Sequence, residues 1–111
     1  MPLISKIEFY IPFPNGVDKP EDNEKWVQMV VVKFRSWFQN AVTRDERMYS
    51  DCIISNSTTR VACVVWSFCT THQLQQHFPS VNALVHEVAE HMGCNDVFVT
   101  VNGSMYIIFA R

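Results

Sequence analysis

Apolar patterns follow one another along this chain as strand, helix, strand, strand, helix, strand, strand. That order predicts an α+β fold: a ferredoxin-like two-layer sandwich, β-α-β-β-α-β-β, with an antiparallel sheet and two helices on one face. Three observations carry the prediction. The chain opens on residues that alternate with period two. Two separate stretches repeat with helical period, and residues Asp96 to Arg111 read as a β-hairpin about Asn102-Gly103. A length of 111 residues fits one domain, 1–111, with a core that needs neither disulfide nor metal.

The first strand spans Leu3 to Ile11. Leu3, Ser5, Ile7, Phe9 and Ile11 fall on one side and Ile4, Lys6, Glu8 and Tyr10 on the other. Pro12, Pro14 and Gly16 then force a loop. Asp18-Lys19-Pro20-Glu21 reads as a capping box that starts a long helix. On a helical wheel Trp26, Val27, Val30, Val31, Phe34, Trp37, Phe38, Ala41 and Val42 fill an arc of about 160°, too wide for a solvent-facing helix. The charged run Thr43 to Arg47 is expected to end that helix as a solvated connection.

A second strand is expected from Met48 to Ser55 and a third from Arg60 to Thr70, joined by the polar turn Asn56 to Thr59. The third is apolar on both faces and so belongs in the centre of the sheet. Thr70 and Thr71 are expected to cap a short turn through Gln76, with Phe78-Pro79-Ser80 restarting the chain as the second helix. Val81, Leu84, Val85, Val88 and Met92 form its buried stripe, and Gly93 its stop. In the hairpin, Asn and Gly both tolerate positive φ and suit a type I′ turn. Its strands, Val97 to Val101 and Ser104 to Phe109, are apolar on both faces.

Charge and cysteine usage narrow the function classes. A formal net charge of -2 gives no electrostatic footprint for nucleic acid, and none is expected as a partner. The N-terminal residues carry no basic and apolar leader and no run long enough to span a bilayer, so a cytoplasmic protein without membrane partners is expected. Cys52, Cys63, Cys69 and Cys94 show no C-x-x-C spacing, and they read as reduced thiols rather than zinc ligands.

Candidate chemistry is sparse. His86 and His91 lie five residues apart and point about 140° away from each other, which rules out a zincin pair. His86 with Glu90, or Glu87 with His91, shares a helix face, but that face is opposite the buried stripe and reads as solvated. Cys69 and His72 could form a nucleophile and base only if the fold brought them together. No glycine-rich phosphate loop or nucleophile elbow is present. No catalytic residue, metal or cofactor is assigned.

Lys6, Glu8 and Tyr10 make a polar strip that could line a cleft with Trp66 or Phe68. Partner contacts are assigned to Phe13 and Asn15 in the proline loop, Tyr10 on the first strand, and Tyr106 and Ile108 on the hairpin. A sheet with helices on one face leaves the other to be covered, most simply by a second copy in a homodimer. The first functional reading is a small non-enzymatic binding protein, a regulator or inhibitor acting through protein contacts. The alternative is a small enzyme or ligand-binding domain with a cleft on the open sheet face, using His or Tyr as acid-base groups.

Overall fold

The computed structural model describes residues 4–12, 20–39, 41–50, 59–92 and 97–108. The elements are β1 (Ile4–Pro12), α1 (Pro20–Phe38), β2 (Thr43–Ser50), β3 (Thr59–Thr70), α2 (Thr71–Met92), β4 (Phe98–Val101) and β5 (Ser104–Ile108). The strands form one sheet in the order β2-β3-β1-β4-β5, and every neighbouring pair is antiparallel. This is the predicted two-layer α+β sandwich, with β1 and β3 inside the sheet.

Both helices bury one stripe against the same sheet face. α1 contributes Val27, Val30, Val31, Phe34 and Phe38, and α2 contributes Val81, Leu84, Val85, Val88 and Ala89. The sheet answers with Ile7, Phe9 and Ile11 from β1, Cys63, Val65 and Cys69 from β3, and Val99 from β4. Phe9 and Phe38 each meet Phe34 edge to face, at 6.0 and 5.2 Å between centroids. Such aromatic contacts add to the hydrophobic drive that holds the layers together.

Three local expectations are corrected. The first helix does not run on to Val42. Gln39 takes a left-handed φ of 55° and donates its backbone N–H to Arg35 O at 3.1 Å, which closes the helix end. The charged run beginning at Thr43 is therefore a strand rather than a solvated connection, and the second strand, Thr43–Ser50, starts at Thr43 rather than Met48; its expected continuation over 51–55 lies outside the described residues. Alternation explains its charges. Arg44 reaches Glu24 on α1, with Nη2 donating to Oε2 at 2.8 Å, whereas Asp45 lies on the opposite face.

α2 is one continuous helix through Pro79, not a short turn followed by a restart. Its start is a reciprocal capping box: Thr70 N–H donates to Gln73 Oε1 at 2.9 Å, and Gln73 N–H donates to Thr70 Oγ1 at 3.1 Å. Gln73 Nε2 also donates to Phe38 O at 3.0 Å, which ties the start of α2 to the end of α1. Asp18, Lys19, the loop 13–17, the turn 56–58, Gly93, Cys52 and Cys94 lie outside the described residues.

Candidate functional site on the open sheet face

Strand register sets the composition of the face turned away from the helices. Across β1 and β3, Lys6 stands opposite Phe68, Glu8 opposite Trp66 and Tyr10 opposite Val64. Across β1 and β4, Glu8 stands opposite Thr100 and Tyr10 opposite Phe98. Directly paired residues share a face. The strip Lys6, Glu8, Tyr10 is thus brought together with both Trp66 and Phe68, and β4 adds Phe98 and Thr100.

Glu8 is the centre of this arrangement. It is only 6% exposed, and a carboxylate so placed needs hydrogen bonds or counter-charge. Thr100 Oγ1 donates to its Oε1 at 3.3 Å, and Lys6 Nζ lies 4.0 Å from its Oε2. The same ammonium sits 4.2 Å from the centroid of the Trp66 ring. The indole is itself anchored, with Nε1–H donating to Asp45 Oδ2 at 2.9 Å and Phe68 meeting it edge to face at 5.6 Å. On the other side of Glu8, Tyr10 and Phe98 stack at 4.4 Å, 14° from parallel. A buried carboxylate, an ammonium and two aromatic pairs therefore share one sheet face.

The terminal hairpin positions part of this site. Asn102 and Gly103 have φ of 54° and 83°, as a type I′ turn requires. Asn102 also reaches back to β1: its Oδ1 accepts from Lys6 N–H at 2.9 Å, and its own N–H donates to Lys6 O at 2.9 Å. Both backbone polar groups of Lys6 are held by that one turn residue.

Of the residues assigned to partner contacts, Tyr10 and Tyr106 lie apart. Tyr10 is half-buried in the open face. Tyr106 is exposed and meets Phe78 of α2 edge to face at 5.3 Å, which places its contact on the helix layer. The irregularity in the β4–β5 register accounts for this, because Val99 pairs with Ile107 whereas Thr100 pairs with Met105, leaving Tyr106 as an extra residue. The backbone of Ile108 stands opposite Phe98. Phe13 and Asn15 lie outside the described residues.

The histidines do not join the open face. All four are on α2: His77 stacks on Trp37 at 6.0 Å and His91 on Trp26 at 4.7 Å, whereas His72 and His86 are exposed. Cys69 is buried toward the core, and burial pushes its thiol up, away from a nucleophile's needs. No nucleophile and base pair is built from Cys69 and His72. Among the described residues there is no group of three or more His, Cys, Asp or Glu that could hold a metal ion, and no helix is long and apolar enough to cross a membrane.

Two cavities among the described residues lie on the helix layer. One of about 430 Å³ is lined along α1 by Trp26, Met29, Val32 and neighbouring Lys and Gln side chains. Another of about 320 Å³ lies between the helices against Lys33, Trp37, Leu84 and Glu87. Neither is lined by a histidine, cysteine or tyrosine, and neither gathers several polar groups about one buried charge. The open face does.

No protein-family model and no curated protein matches this chain. Two solved structures resemble it. One is a phage SAM lyase in the apo state, 12% identical, with a TM-score of 0.54 and coverage of 95% of this chain and 86% of that one. The other is a phage SAM lyase in complex with S-methyl-5′-thioadenosine, 13% identical, with a TM-score of 0.49 and coverage of 96% and 87%. At such identities the first likeness is one of fold. It nevertheless corrects the reading of a non-enzymatic regulator or inhibitor: the chain shares its fold over nearly its whole length with an enzyme. The alternative reading, an enzyme or ligand-binding domain on the open sheet face, is consistent with that fold, and the histidines it invoked lie on α2.

Proposed function

We propose that the open sheet face is the active site of a small enzyme that binds S-adenosylmethionine and cleaves it as a lyase. One observation carries the proposal: the buried carboxylate of Glu8 lies between Lys6 and Thr100 on a face walled by Trp66 with Phe68 and Tyr10 with Phe98. A sulfonium nucleoside calls for that set of groups. Its adenine stacks on aromatic faces, and its permanent cation is attracted by a π-system and a carboxylate. The phage SAM lyase of the same fold suggests the substrate, and the chemistry of the face is the reason to carry it over.

The reaction consumes no oxidant. The carbon–sulfur bond breaks with its electron pair passing to sulfur, so the sulfonium becomes a neutral thioether, while the carbon it leaves bonds to an oxygen of the substrate's own carboxylate and closes a lactone. Anchored aromatic walls and a buried carboxylate serve such a step by holding the substrate in one orientation.

Incubating the purified chain with S-adenosylmethionine and separating the products by chromatography tests the proposal. Consumption with release of a thioether nucleoside is expected. Glu8→Gln, which keeps an acceptor for Thr100 but removes the charge, is expected to lower kcat/KM by about 10- to 100-fold, the worth of one charged contact. Absence of both turnover and saturable binding would reject the proposal.

We further propose that the enzyme is cytoplasmic, with its buried Cys69 thiol reduced, and that it works as a homodimer. The exposed apolar residues Ile4, Phe68 and Met105, on the same face as the site, support the contact. Light scattering that finds only monomer at high micromolar concentration would refute it.

A further inference from the structure

We propose that the Lys6 ammonium is a tethered stand-in for a ligand cation, and that the space it fills between the Trp66 ring and the Glu8 carboxylate is a subsite for an organic sulfonium or quaternary ammonium group. The inference rests on the open face being the binding site, but not on any reaction taking place there.

Lys6 Nζ is 4.2 Å from the Trp66 centroid and 4.0 Å from Glu8 Oε2, so a full positive charge already occupies a seat with a π face on one side and a carboxylate on the other. Both walls are held independently of the ammonium. The indole is fixed by Asp45, and the carboxylate accepts from Thr100. Removing the lysine charge therefore leaves the seat in place.

The ammonium is replaceable because only its backbone is fixed. Asn102 holds the Lys6 N–H and C=O, while the side chain is 34% exposed and ends a flexible four-carbon stem with a path to water. Its two attractions are each weak at a partly exposed site. An ammonium also regains strong hydration when it swings out. A trialkylsulfonium or tetraalkylammonium group has no N–H or O–H donors, so it sheds water at low cost and gains more from the ring. The seat thus favours an organic cation over a hydrated one. A metal ion is not suited, since one carboxylate oxygen and an indole face do not make a coordination shell.

The geometry gives Lys6 a definite sign of effect. If its ammonium competes for the seat, neutralising it tightens the binding of a simple cation. If it instead helps to hold ligands, neutralising it weakens binding.

Titration of the full ¹⁵N-labelled chain with trimethylsulfonium chloride, against sodium chloride at equal ionic strength, distinguishes the two. The readout is the Trp66 indole N–H signal, assigned with Trp66→Phe. A saturable shift is expected in the wild type, about tenfold tighter in Lys6→Met and at least tenfold weaker in Glu8→Gln. Equal or weaker binding in Lys6→Met overturns the proposal, as does no saturable shift in any form.

Should Lys6→Met fail to fold, the wild type supplies a second measurement. The Lys6 ε-methylene protons, shielded by the indole ring, are expected to move downfield as trimethylsulfonium saturates the site, and protons that stay shielded at saturation overturn the proposal. The probe has no carbon–sulfur bond to a nucleoside. Failure here with S-adenosylmethionine turnover intact would reject the subsite and spare the enzyme, and the converse would do the opposite.

Discussion

β1 serves two environments one residue apart. Ile7, Phe9 and Ile11 face the helices and are fully buried among apolar neighbours. Lys6, Glu8 and Tyr10 face the other way, and their partners are an ammonium seat, a threonine hydroxyl and stacked rings. The helix-covered face solves burial by packing, which is non-directional and tolerates many apolar sequences. The open face buries a carboxylate by directed contacts, an arrangement that serves stability poorly compared with a hydrophobic one.

The comparison is tested most strongly at neighbouring positions. Phe9→Ala empties a core site against Phe34 and is expected to cost about 3–5 kcal/mol in urea denaturation. Glu8→Leu, one residue earlier, is expected to change stability by less than about 1 kcal/mol or to raise it, while abolishing turnover of S-adenosylmethionine. A large loss of stability in Glu8→Leu would make the carboxylate part of the scaffold and erase the contrast between the faces.

The turn that holds Lys6 comes next. Asn102→Ala leaves at φ 54° a residue without the polar side chain that lets Asn tolerate a left-handed backbone, and removes the acceptor for Lys6 N–H, for an expected loss of about 1–3 kcal/mol in thermal melts. Asn102→Gly keeps the turn and loses only the side-chain bonds, so it is expected to fall between wild type and Asn102→Ala.

The smallest effect belongs to the ion pair at the sheet edge. Hydrogen bonds from Arg44 and Gln28 hold the Glu24 carboxyl down at about 2, against an ordinary 4.5. A lowered carboxylate stabilises the fold above its ordinary value, and that contribution is lost as pH falls from about 4.5 through about 2. Because both side chains are largely exposed, the contribution is expected to be below about 1 kcal/mol. Melts of Glu24→Gln and wild type should differ slightly at pH 7 and coincide near the bottom of that range.

Periodicity in the sequence revealed the sheet, both helices and the hairpin, because each buries one face and burial imposes a repeat. It also marked Lys6, Glu8 and Tyr10 as a strip. The sequence could not place Trp66 and Phe68 opposite them, since β3 is apolar on both sides and its register depends on long-range pairing. Asp45 was concealed in a charged run that reads as a connection until the left-handed Gln39 ends the helix early. Thr100 left a faint signal as the polar residue among Val97, Phe98, Val99 and Val101. The link from Asn102 to Lys6 spans most of the chain and leaves no local trace.

The central claim is that ligand meets the open face and not the helix layer, whose cavities run beside Trp26 and Trp37. Backbone and indole NMR shifts of the labelled chain, followed during titration with S-adenosylmethionine, test it directly. Saturable changes are expected to cluster at Lys6, Glu8, Tyr10, Trp66 and Thr100, with the Trp26 and Trp37 indoles unmoved. Changes centred on Trp26, Met29 and Trp37 would contradict it.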